Sequence, residues 1–238
     1  MYEKLISAAA VAATLALLPL QGRAQAPVTY PDNAVNYADG YAGKGGSVPG
    51  FTAFTVATTS PSSGTFVFTA KESEGNTGAP APVTIDTGGK SFGLYAQNKG
   101  DSTTITRGFA VPLANAGDAF SLDFVTGYND AGTSGVALMN AGGTVGSFVF
   151  HSGGTGVLFN GSPTGIGFNR GARHMVYTLT SPTTYSVTVT GADTFTGKGT
   201  FTTPITGFQV QQTDSGAITP DHNAYFNNLV LKSASKTP

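Results

Sequence analysis

The sequence predicts an all-β fold, a two-sheet antiparallel β-sandwich, on three observations. From Phe51 onward, short apolar and Thr-rich runs recur about every 8 to 15 residues, the pattern of a sandwich or barrel. Clusters of Gly, Pro, Asn and Asp separate them. The third observation is composition: 33 Gly and only 11% charged residues, where a typical soluble domain carries about 25%. The deficit is filled by Gly, Thr, Ser and Asn, the residues of turns and of solvated strand faces.

The chain opens on an address. Lys4 precedes an apolar run from Leu5 to Leu20, and Gly22-Arg23-Ala24-Gln25-Ala26 supplies an A-x-A cleavage pattern, so residues 1–26 read as a secretory signal peptide. The run is shorter than the roughly 20 residues of a membrane span, and no second apolar run follows. The expected location is therefore secreted, extracellular or in the cell envelope. Removing 26 of the 238 residues leaves 212, with a net charge of about −2. A chain of that size buries roughly 70% of its unfolded surface, enough for one core. Residues 27–50, rich in Pro, Gly, Tyr and Asn, read as an irregular lead-in, 51–232 as the sandwich and 233–238 as a polar tail.

Period-two alternation marks the strands. It is clearest in Phe51–Thr58, Thr65–Thr69, Ser91–Gln97, Ala119–Val125, Gly146–His151, His174–Thr180, Thr184–Thr190 and Gly207–Gln212. In Ala119–Val125 the inward face is Phe120, Leu122 and Phe124, which turns Ser121 and Asp123 to the wet side. Turn chemistry lies between, as in Asp86-Thr87-Gly88-Gly89 and Asn140-Ala141-Gly142-Gly143. In the last strand, Asn223 to Leu231, alternation fails at Asn227-Asn228, the mark of a bulge. About twelve strands exceed a seven-strand immunoglobulin domain and suit a larger jelly roll.

The segments IDTGGKSFGLYA (Ile85–Ala96), RGFAVPL with GDAFSLDF (within Arg107–Phe124), TYSVTVTG (Thr184–Gly191) and NAYFNNLVL (Asn223–Leu231) resemble secreted bacterial domains of the concanavalin A-like, lectin or glucanase jelly-roll type. The resemblance spans most of residues 51–231. It implies two curved antiparallel sheets with a ligand groove, often in the company of extracellular glycan-active proteins. The chain lacks the Trp of the well-studied sugar binders.

Composition excludes several functions. A near-neutral chain has no basic patch to neutralise phosphates, so no nucleic acid partner is expected. Without Cys there is no disulfide, thiolate nucleophile or thiolate metal site. His151, His174 and His222 lack metal-ligand spacing. Glu72 and Glu74 share a Gly- and Pro-rich loop and read as a solvated pair rather than as the facing carboxylates of a glycosidase. No catalytic residue is assigned, and a lyase or hydrolase ranks last among the readings.

The candidate ligand-binding residues are polar or aromatic and turned from the core. Asp123 stands mid-strand on the wet face. Tyr95 and Gln97 oppose Phe92, Leu94 and Ala96, while Gln209 and Gln211 oppose Phe208 and Val210. With Tyr128 and Asn129 in a loop, these make an amide-rich surface suited to neutral sugars. Arg107 falls on the apolar face of Ile105 and Phe109, where it needs a partner; Asp123 or Asp118 is the expected one, and gripping an acidic sugar the alternative. Asp214, Asp221 and Asn223 offer hard oxygen ligands that suit a structural calcium ion. Two readings follow: a non-catalytic glycan-binding protein, or a self-associating surface or biofilm matrix protein whose charge-poor segment Thr178–Thr190 pairs edge to edge between copies.

Overall fold

A computed structural model describes residues 26–38, 40–46, 48–70, 85–151, 156–216 and 219–234. Residues 1–25 of the segment read as a signal peptide, Glu72, Glu74 and most of the polar tail lie outside them. The described chain is an all-β, two-sheet antiparallel sandwich of fifteen strands. The first sheet contains β1 (Val28–Asp32), β3 (Ser63–Phe68), β4 (Ser91–Ala96), β6 (Ala119–Val125), β11 (Arg173–Ser181), β12 (Thr184–Gly191), β13 (Phe195–Thr200) and β15 (Ala224–Ser233). Its order is β13-β12-β11-β6-β15-β4-β3, and β1 also pairs with β15. The second contains β2 (Phe51–Thr58), β5 (Ser102–Leu113), β7 (Ser134–Asn140), β8 (Gly143–His151), β9 (Gly156–Phe159), β10 (Ser162–Pro163) and β14 (Ile205–Thr213). Its order is β10-β9-β8-β7-β14-β5-β2. Among the described residues no helix is long and apolar enough to cross a membrane.

Alternation fixes which face each side chain takes. Phe120, Leu122 and Phe124 of β6, Met175, Tyr177 and Leu179 of β11, and Tyr185, Val187 and Val189 of β12 are buried against Ile105, Phe208, Val210, Val136 and Leu138 of the other sheet. Phe120 and Phe208 stack across the interlayer at 4.7 Å. The aromatic density replaces the missing Trp, since each ring buries a large area and offset or edge contacts add about 0.5–1.5 kcal/mol.

The region read as an irregular lead-in supplies a strand. Pro31 of β1 pairs opposite Val230; β1 hydrogen-bonds on one side only, where a proline without an N–H is tolerated. The same region carries Tyr37 and Tyr41 into the core. It also provides the partner of Arg107. That pairing is with Asp32 at 2.5 Å, not Asp118 or Asp123, and both side chains are fully buried. Arg107 further donates to the carbonyls of Thr52 (2.9 Å) and Gly45 (3.0 Å) and lies over the rings of Phe51 and Phe54. It is a buried cation holding the N-terminal segment to the second sheet, with no surface from which to grip a sugar.

The bulge falls at Asn227-Asn228. Register shifts between Asn227 and Val230, and Asn228 adopts φ 50°, a left-handed conformation that Asn tolerates. The buried Asn227 amide donates to Ile85 and Lys90 carbonyls, both at 2.9 Å, and accepts from the Ala34 N–H at 2.9 Å. One side chain thus satisfies backbone groups of the lead-in and of the 85–90 turn. The segment Thr178–Thr190 does not form an edge. β11 is bonded to β6 and β12, and β12 to β11 and β13, so both strands are interior to the sheet.

Candidate functional site

The outer face of the first sheet carries the most elaborate surface. On β3 and β4, Gly64 stands opposite Tyr95 and Phe66 opposite Gly93. A Cβ on Gly93 would run into the Phe66 ring, and one on Gly64 would lie 2.7 Å from the Tyr95 hydroxyl. Each ring therefore leans across the glycine facing it instead of standing off the sheet, an arrangement only glycine permits. Phe66 and Tyr95 are 6.2 Å apart at an interplanar angle of 39°. Buried Tyr225 of β15 supports Phe66 from the side, edge on at 5.5 Å. Phe68 continues the row and is 53% exposed. Gln97 and Asn223 border these rings around an open pocket of about 380 Å³.

A second pocket of about 180 Å³ lies farther across the same face, lined by Ile85, Asp123, Ala172, His174 and Thr190. A small buried apolar cluster lies between the two: Ala70, Ile85, Val125, Ala172 and Tyr225, with Phe66 packed on it. Asp123 Oδ1 meets His174 Nδ1 at 2.6 Å, and Asp123 Oδ2 accepts from Asn228 Nδ2 at 2.7 Å. The hydrogen bond to Asp123 raises the His174 pKa above its ordinary value, against a smaller opposing effect of burial. The bulge at Asn228 thus orients the carboxylate that orients the imidazole.

The structure gathers some of the sequence-derived residues and separates others. Tyr95, Gln97 and Asp123 share the outer face of the first sheet. Gln209 and Gln211 lie on the outer face of the second, where the Gln209 amide donates to Gln211 at 3.1 Å beside Gly135, Ala137 and Ser147. The two sets face opposite directions because strands of different sheets supply them. Tyr128 sits in a loop at one end of the sandwich, stacked on Phe168 and covered by the Arg170 guanidinium 3.9 Å from its centroid. Asn129 is buried and bonded to Ser134 and Gln212, so its amide supports the loop from within.

The three oxygen ligands expected for calcium are engaged apart. Asp214 Oδ1 accepts from the Gly100 N–H. Asp221 lies 3.3 Å from His222 and 3.8 Å from Arg170, and the Thr219 hydroxyl is the main cause of its lowered pKa. Asn223 borders the aromatic pocket. Among the described residues no group of three or more acidic or imidazole side chains is placed to hold a metal ion. His174 was not singled out in the sequence, because cross-strand register and not spacing sets it against Asp123.

No family model matches the chain, and no curated protein matches it. Its fold is similar to that of several solved structures. One is the carbohydrate recognition domain of Emp47p, at 10% identity and TM-score 0.38, covering 71% of this chain and 95% of that one. Another is the Crh5 transglycosylase, at 11% and 0.40, covering 75% and 90%. A third is the carbohydrate esterase vb_24B_21 of Shiga toxin-encoding bacteriophage phi24B, at 15% and 0.40, covering 76% and 90%. These are likenesses of fold.

Proposed function

We propose that the chain is a secreted, non-catalytic carbohydrate-binding protein whose ligand lies on the outer face of the first sheet. The observation that carries this reading is the pair Phe66 and Tyr95, each laid over a cross-strand glycine and bordered by Gln97 and Asn223. Flat rings take the C–H faces of sugars, and neighbouring amides take and give hydrogen bonds to hydroxyls. Binding of the chain to a panel of soluble and insoluble polysaccharides tests it. Saturable binding that falls about twofold to tenfold in Tyr95→Ala supports the reading, at about 0.5–1.5 kcal/mol per ring contact. No binding across the panel contradicts it.

A second reading, self-association, rests on β2. This edge strand has no charged residue in Phe51–Thr58, and beyond the short bridge at Ala42 and Phe54 it lacks the charges that usually guard an edge. Thr55→Lys, at an exposed position of this strand, should convert any oligomer seen by size exclusion to monomer. A monomeric parent removes this reading.

A further inference from the structure

Asp123, His174 and Thr190 form one row across β6, β11 and β12, paired Asp123 to His174 and His174 to Thr190. Both carboxylate oxygens of Asp123 are taken, one by His174 Nδ1 and one by Asn228. With Nδ1 committed, the polar atom that the half-exposed ring presents to the pocket is Nε2, and the exposed Thr190 lies beside it. Protonated His174 makes the pair with Asp123 neutral and turns Nε2 into a donor. Neutral His174 leaves Nε2 an acceptor with a carboxylate charge behind it.

Other charged groups lie nearby. Arg173, the preceding residue of β11, is buried and bound to Asp193 at 2.5 Å. The turn that carries Ile85 also holds Lys90 and Asp86, whose carboxylate accepts from Thr69, Ala70 and Ser91. Asn228 and Thr190 add no charge.

We propose that this pocket is a proton-gated subsite for an acidic sugar: the carboxylate of a uronic-acid unit accepts from protonated His174 Nε2 and from the Thr190 hydroxyl. The inference rests on the carbohydrate reading above. Ile85 and Ala172 line the pocket as its apolar wall, and the cluster they belong to is buried between this pocket and the Phe66 and Tyr95 rings. β4 and β11 are three strand spacings apart, about 14 Å, so this subsite is distinct from the Phe66 and Tyr95 surface. A uronate stays ionised above about pH 5, with a pKa near that of an α-carboxyl, so the pH response belongs to the imidazole. Binding that favours His174⁺ strengthens as pH falls, and by linkage the ligand raises the His174 pKa.

Calorimetry of the chain with a galacturonic acid oligomer and a neutral glucose oligomer, at about pH 5.5 and about pH 8.5, tests the proposal. The uronate should bind about fivefold to tenfold more tightly at the lower pH, with the neutral oligomer unchanged. His174→Gln should abolish the pH response and retain the neutral oligomer. In NMR titrations the uronate should raise the His174 pKa. Uronate binding without pH response, or a response that survives in His174→Gln, overturns the subsite alone. If neither oligomer binds, the carbohydrate reading falls with it.

Discussion

Replacing Asp32 by Ala should be among the most damaging single changes in this molecule. Asp32 Oδ2 accepts from Arg107 at 2.5 Å and from the Tyr37 hydroxyl at 2.7 Å, and Oδ1 accepts from Asn36 at 2.9 Å and from the Asn33 N–H at 2.9 Å. The carboxylate and the guanidinium are both fully buried. Removing one partner leaves an uncompensated buried charge, which costs about 3–5 kcal/mol. At about 2–4 °C per kcal/mol for a domain of this size, Tm should fall by about 6–20 °C. Urea unfolding followed by far-UV circular dichroism reads the loss as a lower midpoint with unchanged slope. Asp32→Ala/Arg107→Met should recover part of it, since the orphaned cation is gone and the apolar Met side chain fills much of the space beside Phe51 and Phe54 that the guanidinium occupied. A single variant within about 1 kcal/mol of the parent, or a double variant no better than the single, would refute the buried-pair account.

Two further expectations concern the outer face. Gly93→Val should displace the Phe66 ring and reduce polysaccharide binding as far as Phe66→Ala does, with far-UV circular dichroism unchanged; binding equal to the parent's would mean that the ring position is irrelevant. Stability should also carry a pH signature at His174. Its folded pKa is raised by Asp123, so the contribution is fully present below the unfolded value near 6.5 and is lost as pH rises through the folded value. At a half-exposed ring it stays below about 1 kcal/mol. The parent's urea midpoint minus that of His174→Gln should therefore shrink between about pH 5.5 and about pH 8.5; a constant difference contradicts the pairing.

Alternation made the architecture legible where one face is apolar. β6 coincides with the run read from the sequence, because Phe120, Leu122 and Phe124 leave one register that buries them; β2 keeps its bounds as well, yet Phe51 and Phe54, three residues apart, both reach the core only through the register shift between them. β1 was not legible, since Val28–Asp32 has little pattern and a proline, and its place depends on β15, some two hundred residues away. Arg107 was readable as a buried cation in need of a partner, yet Asp32 could not be chosen from the sequence, as its segment looked irregular. Tyr95 and Asp123 emerged as outward residues on one sheet. The split of Gln209 and Gln211 onto the opposite face, and the pairing of His174 with Asp123, arise from strand order and register across long separations. The aromatic floor has the same origin. Gly64 and Gly93 look like strand weaknesses in isolation and become the seats of Tyr95 and Phe66 only when β3 and β4 pair.

The claim that the outer face of the first sheet holds the ligand is tested most directly by amide chemical-shift mapping with a polysaccharide that binds. The expected result is a contiguous set of shifts at Gly64, Phe66, Gly93, Tyr95, Gln97 and Tyr225, extending toward His174 for an acidic ligand. Shifts confined to Gln209, Gln211 and Ala137 on the second sheet, or to the Tyr128 loop, would contradict it.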